Sequence, residues 1–396
     1  MSAEQPSPTL YTPEFFRDPY PTLEWFRDHA PVAQFQFPVG DVPVWLVTRY
    51  EDVRFVLGDP RFSANPAHAN SEIQASGILY SSLPPGMGQA DPPDHARLRK
   101  PVMAVFTARR IQAWSQVAHD VVRSLLEGFR NRSEIDLVPE YAHVLPAEII
   151  GRILGFQPDD RCQAAEDVRI LFSGHPDKIP AAIKSLIELS EDLIATKRAH
   201  PDDDLVTHLV QMRDDGGGLD EAELIGTVTN LILGGYDTTQ NLIGNAVLAL
   251  LDHPVQRRLL QDQPSLHTAA VEEFLRYEGA LLATWRYATE PVAVGGVELP
   301  AGAAILPLTL SANRDPRRFP NPDVLDITRS DVKHVGFGHG LHNCVGAALA
   351  RLETEIAVPA IMSEFPDLRL GVAREKVCYR DSFYMRGLVE LPVELR

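Results

Sequence analysis

Near its C-terminal end the chain reads Phe337-Gly-His-Gly-Leu-His-Asn-Cys-Val-Gly346, a stretch with one cysteine, two histidines and three glycines. Glycine lets a backbone turn through positive φ and approach other groups closely, so the stretch predicts a loop that fixes the Cys344 sulfur. Apolar residues then recur at helical spacing from Ala347 to Ile356, which places Cys344 at a helix N-terminus. The unpaired N–H groups of a helix N-terminus favour an anion, so we expect a thiolate.

Three interpretations fit this sulfur. A buried structural cysteine is common in protein cores, but the clustered glycines count against it. Zinc bound through His339, His342 and Cys344 lacks the fourth ligand of a structural site, since no Cys-x-x-Cys pair is present. The third interpretation is a thiolate bound to haem iron, a ligation that favours O–O cleavage.

The stretch closely resembles the haem-binding loop of the cytochromes P-450, whose pattern is Phe-x-x-Gly-x-His/Arg-x-Cys-x-Gly. The fixed positions of that pattern are filled by Phe337, Gly340, His342, Cys344 and Gly346. The resemblance implies that Cys344 ligates the iron of haem b and that the loop, with Gly338, holds the cofactor. It also implies the family fold in a single domain over residues 1–396. That fold is mainly α with a smaller antiparallel β part, and the haem lies between a long central helix and the helix after the cysteine.

Composition restricts the partners and the compartment. The net charge is −17 over 396 residues, which argues against nucleic acid or an anionic membrane as the main partner. Three cysteines are an odd number, so we expect no disulfide framework and a reducing compartment. The N-terminus is polar, and no window reaches the roughly 18–20 apolar residues that span a bilayer. We therefore expect a cytoplasmic monomer with no nucleic-acid or membrane partner.

A long central helix is predicted upstream of the cysteine loop. Asp220 and Glu223 form a capping pair, and the helical pattern continues to about Asp252. Gly234–Gly235 interrupts this helix, and each glycine costs about 1 kcal/mol relative to alanine. Close approach of a flat ligand would explain the pair. A local opening of the helix, with Thr238 bonding back to the Gly234 carbonyl, is a second explanation.

The segment Gly234 to Thr239 resembles the oxygen-binding groove of the family. By that resemblance Asp237 and Thr238 deliver protons to dioxygen, and Gly234 and Gly235 lie at the cofactor. In the alternative interpretation, Thr238 is a core threonine and Asp237 is the partner in a buried ion pair.

Four basic residues are candidates for binding the haem propionates. His95 and Arg99 are four residues apart and share a helix face, so they can reach one anion together. Their segment resembles the family's C-helix, Arg286 matches a propionate-binding arginine, and His342 belongs to the cysteine loop. We expect four cations there; the alternative for each is a solvated surface charge.

Glu273 and Arg276 resemble the structural Glu-x-x-Arg pair of the family. The arginine that usually completes this pair is replaced by Val324, and Arg329 is the candidate substitute.

Apolar residues in segments without regular periodicity predict the cavity wall. Residues 61–91 form a long loop, and loops of this length are usually functional or disordered.

Short apolar runs separated by Gly-Gly and Pro-x-Gly turns predict a small antiparallel sheet after residue 290, and residues 388–391 predict a short strand ended by Pro392. A break at residues 174–176 separates two helices that the family places as a lid. The predicted substrate contacts are Leu83, Met87, Leu282, Ala283, Thr284 and Phe383, together with Ile78 and Leu79 in the same loop.

The combined prediction is a haem-thiolate monooxygenase acting on dioxygen and a mainly apolar small molecule, in bacterial secondary-metabolite tailoring. The chain has no Gly-x-Gly-x-x-Gly fingerprint of a flavin or nicotinamide site, so its electrons must come from a separate donor. A ferredoxin and a ferredoxin reductase are the expected electron donors. A basic patch for docking would use Arg97, Lys100, Arg109, Arg110 and Arg351. The alternatives are a peroxide-dependent or oxidative-coupling enzyme and, in another class, a haem sensor without turnover. The sequence does not identify the substrate.

Overall fold

The computed structural model describes residues 8–76, 83–172, 177–216 and 218–395. Helices are its main element, as predicted. They are α1 (Pro13–Arg17), α2 (Tyr20–His29), α3 (Tyr50–Gly58), α4 (Ser71–Ala75), α5 (Asp94–Met103), α6 (Ala108–Phe129), α7 (Val144–Leu154), α8 (Pro158–Leu171), α9 (Ile179–Ala199), α10 (Leu205–Asp214), α11 (Glu221–Gly235), α12 (Asp237–Asp252), α13 (Pro254–Asp262), α14 (His267–Tyr277), α15 (Thr309–Asn313) and α16 (Ala347–Glu364).

The strands form three small sheets within the described residues. The largest has the order β1-β2-β8-β5-β3, the second is β4-β10-β9, and β6-β7 is a hairpin. The strands are β1 (Val32–Phe37), β2 (Val42–Val47), β3 (Phe62–Ser63), β4 (Glu134–Asp136), β5 (Arg286–Ala288), β6 (Val292–Val294), β7 (Val297–Leu299), β8 (Ala304–Pro307), β9 (Arg369–Leu370) and β10 (Pro392–Glu394).

Two expectations about the strands need correction. The β part is not wholly antiparallel, because β2 pairs with β8 in parallel and Trp45 lies opposite Ile305. A parallel pair needs a long connection, and most of the chain supplies it here. The last strand begins at Pro392 instead of ending there, and proline is tolerated as the first residue of a strand.

The central helix is divided into α11 and α12 at Tyr236. Its predicted start is confirmed, since Asp220 and Glu223 form a complete capping box, and its predicted end at Asp252 is also confirmed. A side chain at position 235 would collide with Ile150 of α7. Close helix packing therefore requires Gly235 and accounts for part of the interruption.

Glu273 and Arg276, the predicted structural pair, lie fully buried beneath the segment that leads to the cysteine loop. Arg276 donates to Glu273 at 2.8 Å, and both side chains are fully buried. Arg329 approaches Glu273 Oε2 at 3.3 Å, which confirms it as the substitute for the arginine missing at Val324. Arg276 also donates to the carbonyl of Val324, so backbone from this segment completes the network.

Some predicted features fall at or beyond the edges of the described residues. Ile78, Leu79 and the break at residues 174–176 lie outside them, while α8 and α9 flank the break as expected. Nowhere in the described ranges is a helix both long enough and apolar enough to cross a membrane.

A buried carboxyl group lies on α16. Glu353 is 2% exposed, and its Oε2 has no hydrogen-bond partner among the described residues. Burial raises the pKa of Glu353 to about 8. The folded protein therefore keeps this group neutral where the unfolded chain ionises it, so stability falls as the pH rises from the ordinary carboxyl pKa toward 8.

We expect Glu353→Gln to raise the unfolding temperature increasingly between pH 5 and pH 8, with no further gain above pH 8. An amide fills the same space and cannot ionise, and the gain reaches a few kcal/mol because one pKa unit is worth about 1.4 kcal/mol. Thermal unfolding across a pH series measures it. Glu355→Gln, two residues along the same helix, is the control. A pH-independent difference for Glu353→Gln would contradict the assignment.

Candidate functional site

The cysteine loop is closed by its own backbone. The Cys344 N–H donates to the Phe337 carbonyl at 2.9 Å. Gly338 and Gly340 have φ angles of +73° and +72°, which side chains other than glycine rarely adopt. Gly340 also packs so closely on the end of α3 that a Cβ atom would lie 2.8 Å from the Gly58 Cα. The loop is therefore fixed by backbone contacts on both sides, as the glycines predicted.

The Cys344 side chain is accessible to solvent, although many protein atoms surround its sulfur. Burial raises the pKa of the thiol, while backbone N–H groups of Gly346 and Ala347 and the charges of Arg99 and Arg351 lower it. Helix α16 starts three residues after the cysteine, as expected. The donors for a thiolate are thus in place, and binding to a metal cation would overcome the cost of burying its charge.

The histidines of the loop do not join Cys344 in a zinc site. Among the described residues no group of three or more His, Cys, Asp or Glu side chains is arranged to hold a metal ion. His339 lies against Gly58, and the His342 ring packs edge-on against His95 at 4.6 Å between centroids. The geometry therefore favours a single protein ligand to a metal over a ligand cluster.

The four predicted propionate residues lie close together. Arg99 donates to the Asn343 carbonyl at 2.6 Å, which ties α5 to the cysteine loop. The charges of Arg286 and Arg99 both act on His342, and its ring contacts His95. Arg286 is 5% exposed. The four residues that the sequence analysis grouped come from three distant segments, and the fold brings them close to one another.

The surroundings of these four groups act against protonation of the two imidazoles. Burial, together with Arg286, His95 and Arg99, lowers the pKa of His342 to about 3. Burial and Arg99 also lower the pKa of His95, and burial lowers that of Arg286 to about 10. Carboxylates bound among these groups would act in the opposite direction, so the expectation of four cations stays a prediction.

This cluster fits the carboxylates of haem. Both ring nitrogens of His95 are buried and have no partner within the described part of the chain, although buried polar groups are normally hydrogen-bonded. Two guanidinium groups and the unpaired ring of His95 would bind an anion. Because Cys344 belongs to the same loop as His342, these residues would hold the carboxylates of a haem and Cys344 would ligate its iron.

The middle of the central helix agrees with the predicted oxygen groove in part. Thr238 Oγ1 donates to the Gly234 carbonyl at 2.9 Å, as expected. Among the described residues, no atom outside the local helix backbone lies within 4 Å of the place where a Gly234 side chain would be, so this glycine leaves room for a ligand. Gly235 packs on Ile150, so helix packing is a second reason for this glycine.

Asp237 is held in a buried ion pair that sequence reasoning only considered as an alternative. It is 4% exposed, and Arg380 Nη2 donates to its two oxygens at 2.9 and 2.8 Å. Asn241 Nδ2 adds a third bond at 2.9 Å. Arg380 lies 143 residues further along the chain, and no local motif identifies it.

The predicted cavity wall is mostly buried. Leu83, Met87, Leu282 and Ala283 belong to the core, and Thr284 is half-buried. The loop that carries Leu83 and Met87 is pinned to α11, because the Gly88 N–H donates to Asn230 Oδ1 at 2.9 Å.

Phe383, a predicted substrate contact, is half-buried. Its ring packs among aromatic residues near the N-terminus, at 4.8 Å from Tyr11 and 5.1 Å from Phe37. Aromatic edge contacts of this kind are favourable, so Phe383 serves as an anchor for its loop.

A separate cavity of about 470 Å³ lies between α2 and the end of α12. Arg27, Glu278 and Arg386 are among its lining residues. This charged lining does not match the apolar wall expected for the substrate.

Comparison with known proteins identifies the family. The cytochrome P-450 family model matches residues 148–370. Cytochrome P-450 107B1 of Saccharopolyspora erythraea is 39% identical over 401 residues, covering 99% of this chain and 98% of its own. The polyketide biosynthesis cytochrome P-450 PksS of Bacillus subtilis is 33% identical and covers 96% of this chain and 97% of its own. The structure of tirandamycin C-bound P-450 monooxygenase TamI has a TM-score of 0.92 at 36% identity, covering 97% and 99% of the chains.

We expect Arg99→Gln to weaken haem retention by roughly tenfold to a hundredfold, because one charge-assisted hydrogen bond is worth about 1.5–3 kcal/mol. The rate of haem transfer to an acceptor apoprotein measures retention without any turnover. Arg109→Gln, an exposed arginine at the start of α6, is the matched control. Equal transfer rates for the two variants would remove Arg99 from the cofactor site.

Proposed function

The chain belongs to the cytochrome P-450 family and is a haem monooxygenase, and on that premise we propose which of its residues perform the reaction. One observation carries the assignment. The exposed Cys344 belongs to a backbone-fixed loop, and the same loop brings His342 to the His95 ring, whose nitrogens are unpaired among the described residues. We propose that these groups bind haem b and that the chain works as one domain.

Different side chains of the protein bind the iron and the carboxylates of the cofactor. Haem b supplies the redox chemistry that activates dioxygen. Cys344 acts as a thiolate, with the Gly346 and Ala347 N–H groups directed at its sulfur to keep it from protonating. Arg99, Arg286, His95 and His342 hold the carboxylates of the cofactor.

Proton transfer is assigned to the interrupted central helix. The Thr238 hydroxyl, now bonded to the Gly234 carbonyl, is placed to pass a proton toward dioxygen, and Asp237 next to it is the source of that proton. Both lie in the first turn of α12, where the break at Tyr236 separates them from α11.

The substrate is a mainly apolar small molecule of bacterial secondary metabolism. The buried apolar side chains of Leu83, Met87, Leu282 and Ala283 support an apolar wall, with Thr284 as a polar contact. Relatives named for polyketide biosynthesis and for binding tirandamycin C support this class.

Electrons come from a ferredoxin and its reductase. Of the basic patch expected for docking, Lys100, Arg109 and Arg110 are exposed. Arg97 is paired with Asp94 and Glu223, and Arg351 with Glu272, so these two arginines are already neutralised. The docking surface is therefore the end of α5 and the start of α6.

Free thiols at Cys162 and Cys378 fit a reducing compartment, and we place the enzyme in the cytoplasm.

Thr238→Ala is expected to keep haem and yet lower product formed per reducing equivalent several-fold, with peroxide released instead. The variant removes the hydroxyl that moves the proton and leaves the cofactor residues intact. Product, peroxide and NADPH are measured together with reconstituted redox partners. Thr239→Val, which changes the neighbouring buried threonine, is the control.

Tight coupling in Thr238→Ala would contradict proton transfer by this hydroxyl. Efficient turnover of the unmodified enzyme with peroxide alone would favour the peroxide-dependent alternative. Failure to consume NADPH with any substrate and partner would favour the sensor.

Charge reversal at Arg109 and Arg110 is expected to slow reduction by ferredoxin several-fold at low salt, with a shallower dependence on salt. Exposed charges steer association, and salt screens them. Stopped-flow reduction across an ionic-strength series measures both effects. Arg97→Glu is not a suitable control because its ion pairs would be broken, so Arg258→Glu on α13 serves instead, since Arg258 is exposed and has no ion pair among the described residues. An unchanged rate and salt slope would exclude docking at this surface.

A further inference from the structure

The charged cavity between α2 and the end of α12 is a candidate binding site that the proposed reaction does not use. Its volume of about 470 Å³ falls within the range of small-molecule pockets, roughly 300–1,000 Å³. As far as the structure describes its lining, the cavity shares no residue with those assigned to haem, to proton transfer or to the substrate wall. A ligand in it would therefore not compete with the substrate for space.

The buried charges that line this cavity do not balance. Among the described residues they are three arginines and a single glutamate. Glu278 is paired with Arg386 at 2.8 Å and lies 3.6 Å from Arg314. The other carboxylate partner of Arg314 is Asp323, which is exposed. Arg27 is 3% exposed and has no carboxylate at ion-pair distance within the described part of the chain. One buried cation is therefore left without a counter-ion.

The two paired arginines are fully engaged by the protein. The Arg314 guanidinium lies over the rings of Tyr20 and Tyr277, at 3.9 and 3.8 Å from their centroids. That of Arg386 lies over the Tyr379 ring at 3.2 Å. Every nitrogen of both guanidinium groups donates a hydrogen bond to a protein oxygen. Because stacking and hydrogen bonds fix their orientation, these two groups are not free for a ligand.

The Arg27 guanidinium, in contrast, has one edge without partners. Its Nη1 donates to the carbonyl and hydroxyl oxygens of Ser311 at 3.2 and 3.1 Å. Its Nε is buried and, like its Nη2, has no hydrogen-bond partner among the described residues. Nε and Nη2 form an edge that binds a carboxylate through two parallel hydrogen bonds, and Arg61 uses this edge for Asp59 at 2.9 Å. The free edge of Arg27 is thus suited to an oxyanion.

Burial of Arg27 without a counter-ion is unfavourable. Desolvation lowers the pKa of Arg27, while more distant carboxylates, with Asp315 the strongest, act in the opposite direction. A buried charge without a direct partner is costly, and so are its unsatisfied donors. A bound carboxylate or phosphate would supply both the negative charge and two acceptors. Arg17, which is exposed and has no ion pair among the described residues, lines the same cavity and could contact the rest of a longer anion.

We propose that the cavity between α2 and the end of α12 binds a small metabolite through its carboxylate or phosphate group, and that the Nε–Nη2 edge of Arg27 recognises this group. The net charge of −17 repels anions at long range, so recognition depends on short-range hydrogen bonds. The site is independent of the proposed reaction path, because its ligand contacts none of the residues assigned to that path.

Calorimetric titration of the holoenzyme with succinate and with inorganic phosphate, at constant ionic strength, tests the site without turnover. We expect one or both anions to bind with a stoichiometry of one. Arg27→Gln should weaken this binding at least tenfold, because both charge-assisted hydrogen bonds are lost. Arg27→Lys keeps the charge but not the fork of donors, and it should weaken binding several-fold. Arg258→Gln, which changes an exposed and unpaired arginine of α13, should bind as the unmodified enzyme does.

Ala249→Met tests the place of binding without changing any charge. Ala249 lies on α12, is 6% exposed and belongs to the cavity lining, so a flexible methionine side chain there would fill part of the space. The anion should bind at least tenfold more weakly to this variant, while the absorbance change caused by a substrate analogue at the haem stays the same. Should Arg27→Gln not fold, Ala249→Met still tests the proposal, because it leaves the guanidinium group in place.

Binding of either anion, lost in these variants, supports the site, and the tighter of the two tells whether its ligand is a carboxylic acid or a phosphate ester. No heat of binding with either anion at about 10 mM would overturn the proposal and leave water as the content of the cavity. Unchanged affinity in Arg27→Gln or in Ala249→Met would place the bound anion elsewhere and overturn it as well. Competition between the anion and a substrate analogue would do the same, because it would place the anion in the substrate cleft.

Discussion

A sulfur atom that ligates iron must stay at one point, since a small displacement changes both the bond and the charge on the ligand. In this protein the Cys344 N–H is bonded to the Phe337 carbonyl, and Gly340 is pressed against the end of α3. Arg351, held by Glu272, lies over the Phe337 ring at 4.6 Å. Outer contacts of this type orient a ligand and tune its charge. The cysteine loop is therefore supported from α3, α14 and α16 at once.

The second constraint is electrostatic and follows from the first. A group that brings iron to Cys344 also brings carboxylates, and buried carboxylates need donors. The protein provides a buried Arg286 and His95 nitrogens that have no partner among the described residues, and an anion would offset the cost of burying them. The lowered pKa values of His95 and His342 reflect the same excess of positive charge. The proposed cofactor carboxylates would supply the missing partners.

The parts that the sequence predicted well are those encoded by short spacing. The bond from Thr238 to the Gly234 carbonyl spans four residues, and the cysteine loop follows a fixed pattern of ten, so local chemistry identifies both. The pairing of Arg380 with Asp237 joins positions 143 residues apart and has no local signature. The lowered pKa of His342 depends on burial and on the charges of distant segments, which only the folded arrangement supplies. The helical class of the fold was predictable, but the parallel strand pair was not.

The parallel pair of β2 and β8 can form only late in synthesis of the chain. Trp45 of β2 lies opposite Ile305 of β8, 260 residues later. A ribosome adding about 5–20 residues per second needs roughly 10 to 50 seconds to cover that distance. Throughout this interval the β1-β2 hairpin is outside the ribosome with one edge unpaired, and an unpaired edge is a template for association with other chains. The N-terminal hairpin thus remains without its parallel partner strand until the C-terminal third has emerged to cover it.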